Sequence, residues 1–273
     1  MAVPKRVVDR ISESLRRYQG VLQQQKDRDV SEADTVTIVK DLLSDIFGYD
    51  KYTELTSEYS IRSTYCDLAV KIDSKLAFLI EVKAIGIDLK DAHTKQAVDY
   101  AANQGCEWVV LTNGIDWRLY HVLFRKPIDK QEVAHFRLTE LTHRSETDVE
   151  KLYLLTKEGF VKSALAEYRD RKEATSRFML AAVLLNAEAV KSAIRREIRR
   201  VSEILVDEDV IDRMLREEVI KRECIEGPDA DNAVRRVTRS ADRTIKRGTD
   251  KPDAAPASSG TADKGEPTSD SST

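Results

Sequence analysis

Long apolar runs are missing from this 273-residue chain: the two longest, residues 178–185 and 76–80, fall far short of a membrane span. Cysteine is scarce. Cys66, Cys106 and Cys224 are odd in number and widely separated, which excludes a disulfide framework and a cysteine-built zinc site. No Gly-x-x-x-x-Gly-Lys-Ser/Thr occurs, so ATP is not an expected ligand and no P-loop motor is present. A Gly-x-Ser-x-Gly nucleophile elbow is also missing. His93, His121, His135 and His143 lack the spacing of zinc ligands and read as surface or packing residues. Charge of one sign is lacking too. With 45 Lys and Arg against 48 Asp and Glu the net charge is −3, so nucleic-acid contact would have to come from local clusters. The opening residues are charged and form no apolar leader, which makes the cytoplasm the expected compartment and a membrane an unexpected partner.

What is present is a 41% hydrophobic, 34% charged chain, the balance of a globular protein with highly charged helices. Its length suits one large domain or two modest ones. Composition shifts near residues 145 and 248, giving expected segments 1–145, 146–247 and 248–273. From Thr249 onward there is no Val, Ile, Leu, Met or aromatic residue. Such a segment cannot offset its ordering entropy by burial, so a disordered tail is expected over 248–273.

Within the first segment, residues 6–26 read as a polar helix. Ser31 followed by Asp34 resembles a capping box, and Val36, Val39, Leu43, Ile46 and Phe47 then recur at helical spacing before Gly48. Residues 54–62 and 65–72 read as strands, joined by an Asp73-Ser74 turn to the apolar run at 76–80. That run has the character of a central strand buried on both faces, and it meets Glu81-Val82-Lys83. A helix over 91–104 ends at Gly105, and two strands flank the Thr112-Asn113-Gly114 turn. Trp108 and Trp117 fit the core of that hairpin. The pattern is α/β (mixed), with a helix crossing between strands.

Asp67, Glu81 and Lys83 are the informative set. Strand alternation points Glu81 and Lys83 to one face, and hairpin pairing can bring Asp67 opposite Glu81. Two carboxylates there would suit Mg²⁺, an ion that activates water and offsets phosphate charge, with a lysine beside them to orient the attack. Asp73-x-Lys75, Asp88-x-Lys90 and Asp170-x-Lys172 share the spacing, but only Glu81 and Lys83 end a wholly apolar strand. On context alone a cation site and a simple Glu–Lys neighbour pair at a solvated strand end are both open readings.

The ordered set of motifs is wider. Ser31-Glu32-Ala33-Asp34-Thr35 opens a helix ending in Phe47-Gly48-Tyr49-Asp50, and Tyr65-Cys66-Asp67-Leu68-Ala69-Val70 and Ile80-Glu81-Val82-Lys83 follow. Gln96-Ala97-Val98-Asp99-Tyr100-Ala101 and Val109-Val110-Leu111-Thr112-Asn113-Gly114, then Trp117 and Tyr120, complete it. Over about residues 30–125 the sequence resembles the N-terminal nuclease domain of the type I restriction enzyme R subunit, a branch of the PD-(D/E)XK superfamily. The resemblance implies a restriction-endonuclease-like mixed sheet flanked by helices. It implies Mg²⁺, with Mn²⁺ as a substitute, held by Asp67 and Glu81 with Glu32 and the Val82 carbonyl. It further implies Lys83 as the catalytic lysine and Gln96 and Tyr100 as a supporting Gln-x-x-x-Tyr pair. Cys66 stands where the superfamily's eponymous proline would be. A stand-alone relative that cuts DNA without a motor, in restriction or phage defence and with a separate targeting subunit, is the expected function. A silent DNA- or protein-binding module, or an interaction protein working through its helical half, are the rival classes.

The second segment is helical, with an apolar stripe at Val190, Ile194, Ile198, Val201 and Leu205 that continues through Val210, Met214, Ile211, Leu215 and Val219. A homodimer through these helices is one expectation. Arg195, Arg196, Arg199 and Arg200 flank the stripe, and Arg236, Arg239, Arg243 and Lys246 form the better expected phosphate grip.

Overall fold

The structure is a computed structural model that describes residues 2–61 and 64–249, with side chains for all of these except 58–61, 64–65 and 241–249. The chain divides into two compact units, Met1–Glu173 and Ala174–Thr273.

The first unit opens with helix α1 (Lys5–Asp27), which is amphipathic and not simply polar as its composition suggests. Val7, Ile11, Leu15, Tyr18 and Leu22, three or four residues apart, form one buried stripe. Burial of each stabilises the unit by roughly 1.5–3 kcal/mol. Ser31 caps helix α2 (Glu32–Asp45) by accepting a hydrogen bond from the Asp34 amide at 3.2 Å. Gly48 leaves that helix at φ +83°, a conformation only glycine adopts without strain.

Six strands follow: β1 (Leu55–Ile61), β2 (Thr64–Ile72), β3 (Lys75–Val82), β4 (Trp108–Thr112), β5 (Asp116–Leu123) and β6 (Asp129–Arg137). They lie side by side in sequence order. All neighbours are antiparallel except β3 and β4, which run parallel because helix α3 (Asp91–Gln104) crosses between them. Asp73 and Ser74, both at positive φ, make the two-residue β2–β3 hairpin turn. Gly105 closes α3 in the left-handed conformation, as its position after the helix implies.

Residues on β3 alternate between two cores. Phe78, Ile80 and Val82 pack with α1 and α2 on one face, while Leu79 packs with Ala97, Val98 and Ala101 of α3 on the other. The expectation of a central strand buried on both faces holds, and Trp108 and Trp117 are core residues.

Beyond the sheet come α4 (Glu146–Tyr153), α5 (Lys157–Val161) and α6 (Ala164–Ala174). Val149, Leu152 and Leu155 join the same core as α1 and the sheet, and the Tyr49 hydroxyl donates to the Leu155 carbonyl at 3.0 Å. The composition shift near residue 145 therefore marks the end of the sheet, while the compact unit continues to Glu173.

The second unit contains α7 (Arg177–Asn186), α8 (Glu188–Ser202), α9 (Glu208–Met214) and α10 (Pro228–Thr249). α7 and α10 pack together, burying Ala181, Ala182 and Leu185 of the first and Ala230 and Ala233 of the second. Of the expected disordered tail, residues 250–273 lie outside the described residues. No helix among the described residues is long and apolar enough to cross a membrane.

Candidate active site

The site forms where β3 runs out of apolar sequence. Leu68 pairs with Ile80, and continuing that antiparallel register by one residue sets Asp67 opposite Glu81. Asp67 Oδ2 accepts a hydrogen bond from the Val82 amide at 2.7 Å, so a side-chain oxygen takes over there from a strand carbonyl. On the other side, the Lys83 amide donates to the Thr112 carbonyl of β4 at 2.8 Å. The end of β3 is thus held from both neighbours, at the Val82 and Lys83 amides.

Glu81 is 2% exposed. Its Oε1 accepts from Lys83 Nζ at 2.7 Å, while its Oε2 is buried with no hydrogen-bond partner. A buried carboxylate oxygen left unpaired is costly and unusual. Burial pushes the Glu81 carboxyl up to about 7, with the Asp67 and Glu32 charges adding and the Lys83 hydrogen bond opposing. Burial alone would lower the Lys83 ammonium, but its hydrogen bond to Glu81 and the surrounding carboxylates outweigh that and raise it. Glu32, the first residue of α2, is half exposed with Oε2 3.6 Å from Lys83 Nζ.

Thr35 was not legible as a site residue. Fully buried, it donates through Oγ1 to the Ser31 carbonyl at 2.8 Å and accepts from the Ile85 amide at 3.1 Å. This hydroxyl fastens the first turn of α2, and so Glu32, to the chain just past Lys83. A threonine on the apolar side of a helix was its only signal in the sequence. Cys66 is buried beside the site, and burial together with the Glu81 charge pushes its thiol up to about 12, so it stays protonated.

Asp67, Glu81, Lys83 and Glu32 are therefore gathered at one strand end. Gln96 and Tyr100 share a face of α3, as their spacing requires, and Gln96 Nε2 donates to the Tyr100 hydroxyl at 2.8 Å. They line an open hollow of about 430 Å³ with Ala92, Lys95, Asp99 and Asn103. No hydrogen bond runs from either to Glu81, Lys83 or Glu32. Arg236 and Arg239 are exposed on α10, and the side chains of Arg243 and Lys246 lie outside the described residues.

Among the described residues no group of three or more His, Cys, Asp or Glu side chains is arranged to hold a metal ion. The donor chemistry still fits a hard divalent cation: Glu81 Oε2 is an orphaned carboxylate oxygen, and the charge of a second carboxylate, Asp67, acts on it.

Residues 37–134 match the family model described as the type I restriction enzyme R protein N terminus. This stretch is similar to that family. The matched segment runs from within α2 to within β6 and contains Asp67, Glu81, Lys83, Gln96 and Tyr100. Glu32 and Thr35 precede it, so their link to the site rests on the contacts with Lys83 and Ile85. Comparison with curated proteins and with solved structures returned no match.

Proposed function

We propose that the protein is a Mg²⁺-dependent endonuclease that hydrolyses DNA phosphodiester bonds, within the nuclease-related role its family suggests. The observation that carries this reading is the half-paired Glu81, a buried carboxylate with one oxygen on Lys83 and the other open. Asp67 and Glu81 would hold the cation through carboxylate oxygens, with the Val82 carbonyl and Glu32 completing its surroundings. When bound, such a cation lowers the pKa of water and neutralises charge on the phosphate.

Lys83 contributes as a cation. Its hydrogen bond to Glu81 and the surrounding carboxylates hold its ammonium above the ordinary lysine range. It can donate to the attacking water or to a phosphate oxygen as charge builds in the transition state. Thr35 keeps Glu32 in place, and Gln96 with Tyr100 offers a polar helix face to the substrate backbone. Restriction or phage defence is the biological setting that the family suggests, with a separate targeting subunit as a partner.

A second reading, a nuclease-fold module that binds DNA without cutting it, draws on two observations: Lys83 already pairs with Glu81, and among the described residues no three-ligand cluster is formed. Incubation of supercoiled plasmid with the purified chain in Mg²⁺, Mn²⁺ or chelator separates the two. The nuclease reading expects metal-dependent nicking that falls about 100-fold or more in Lys83→Ala. Retained DNA binding with no cleavage under any metal would establish the silent module.

A further inference from the structure

Arg118 repeats, on β5, the anomaly seen at Glu81. Its side chain is largely shielded, yet its buried Nε has no hydrogen-bond partner among the described residues. A buried guanidinium donor left open is as unusual as an open carboxylate oxygen. The two residues share one row of the sheet, because the buried Leu111 of β4 pairs with Glu81 on one side and Arg118 on the other. They also share a face. Trp117 and Leu119, on either side of Arg118, pack into the core with α1 and α2, so alternation turns Arg118 to the α3 side. Leu79, packed against α3, sets Glu81 on that same side.

Arg118 belongs to a cluster. β5 and β6 pair Arg118 with His135 and Asp116 with Arg137. Ala134, Phe136 and Leu138 of β6 and the turn after it face the α1–α2 core, so His135 and Arg137 alternate to the α3 side as well. Three nitrogen-bearing side chains thus surround one carboxylate. Asp116 Oδ1 lies 2.7 Å from His135 Nε2, while Asp116 Oδ2 stands 3.6 Å from Arg118 Nη2, too far for a hydrogen bond. The Tyr120 hydroxyl is a further polar neighbour of Arg118, and Arg137 Nε bonds to Glu140 at 2.8 Å. These partners cannot satisfy the cluster, since each guanidinium carries five N–H donors. The open edge of Arg118, Nε with a terminal nitrogen, presents two parallel N–H groups, the geometry that grips two oxygens of one phosphate.

We propose that Arg118, His135 and Arg137 form a phosphate-binding subsite for DNA, on the same sheet face as Glu81. The inference rests on the DNA-hydrolysing reading above and adds where the substrate backbone is held. Two strand spacings separate Arg118 from Glu81, about 10 Å. At about 3.4 Å of axis per nucleotide, the subsite takes a phosphate roughly three nucleotides from the one being cut. Its residues bind the backbone and take no part in the bond-breaking step.

Anisotropy of a short fluorescein-labelled DNA duplex, titrated with the full chain in chelator across a salt series, tests it. The wild type is expected to bind with an affinity that falls as salt rises. Arg137→Gln should make the plot of log affinity against log salt shallower by about one, and Arg118→Gln with Arg137→Gln by about two. Arg118→Lys with Arg137→Lys, which keeps both charges, should retain the wild-type slope. Urea midpoints measured alongside separate out a purely structural role, which would lower the midpoint and leave the slope alone. Arg137 is exposed, so its single variant carries the test even where Arg118→Gln unfolds. No duplex binding by the wild type, or a slope that the glutamine variants leave unchanged, would overturn the subsite. The nuclease reading fails differently: slopes as expected, with no cleavage in any metal, would refute turnover and leave the subsite standing.

Discussion

Glu158 and Glu81 are both shielded carboxylates, each hydrogen-bonded by one cationic side chain, yet the protein treats them in opposite ways. Both oxygens of Glu158 are satisfied by Arg10, at 2.9 and 2.7 Å, and the same guanidinium donates to the Ile46 and Phe47 carbonyls at the end of α2. Arg10's hydrogen bonds hold the Glu158 carboxyl below the usual glutamate range, outweighing its partial burial. Glu81 is more deeply enclosed, has only one oxygen paired, and lies well above that range. The first arrangement is what fold stability selects. The second leaves an oxygen unsatisfied at a cost to the fold, as expected of a group that keeps a coordination position open.

Breaking the satisfied pair should have the largest effect. Arg10→Met leaves a shielded carboxylate and two helix-end carbonyls without their donor, and is expected to cost about 3 kcal/mol in urea unfolding at pH 7. Glu158 also sets the sign on the acid side. Its folded pKa is depressed, so its stabilising share is complete above the ordinary glutamate value and lost as pH falls through the depressed one. Arg10→Met should remove that part of the acid slope.

Glu81→Gln should act in the reverse direction, raising stability by about 2 kcal/mol at pH 8. Between the ordinary glutamate value and about 7, the folded protein holds a proton that the unfolded chain has released. Wild-type stability should therefore fall as pH rises through that window, and Glu81→Gln should abolish the fall. Urea midpoints at pH 5 and pH 8 measure it, and equal values for wild type and variant at both would refute the contrast.

Gly48→Ala should have the smallest effect of the three, about 1–2 kcal/mol. An added Cβ at φ +83° would meet the Arg10 guanidinium at 2.6 Å. Because Arg10 is a movable side chain, the double variant Gly48→Ala with Arg10→Met should cost less than the two changes summed.

The sequence carried the Glu81 site further than it carried its surroundings. Two charges ending a wholly apolar strand were visible as an anomaly, and alternation set the face on which Glu81 and Lys83 lie. The open Oε2 was invisible, because it depends on which groups from α2, β2 and β4 reach the same point. β6 was missed since Asp129–Arg137 reads as polar, with Val133, Ala134 and Phe136 meeting the sheet only after a register shift in its pairing with β5. α1 reads as polar because five stripe residues are diluted by arginines and glutamines on its other faces. Helices α4, α5 and α6 belong with the sheet because their buried residues complete a core that composition alone cannot assign.

The central claim is that the open oxygen of Glu81 holds a place for a divalent cation. Free Mn²⁺ titrated against the purified chain by electron paramagnetic resonance measures this without requiring turnover. The account predicts saturable binding in the wild type, weakened about tenfold or more in Glu81→Gln while the variant remains folded. Equal affinity in both proteins, or no saturable binding in the wild type, would contradict it.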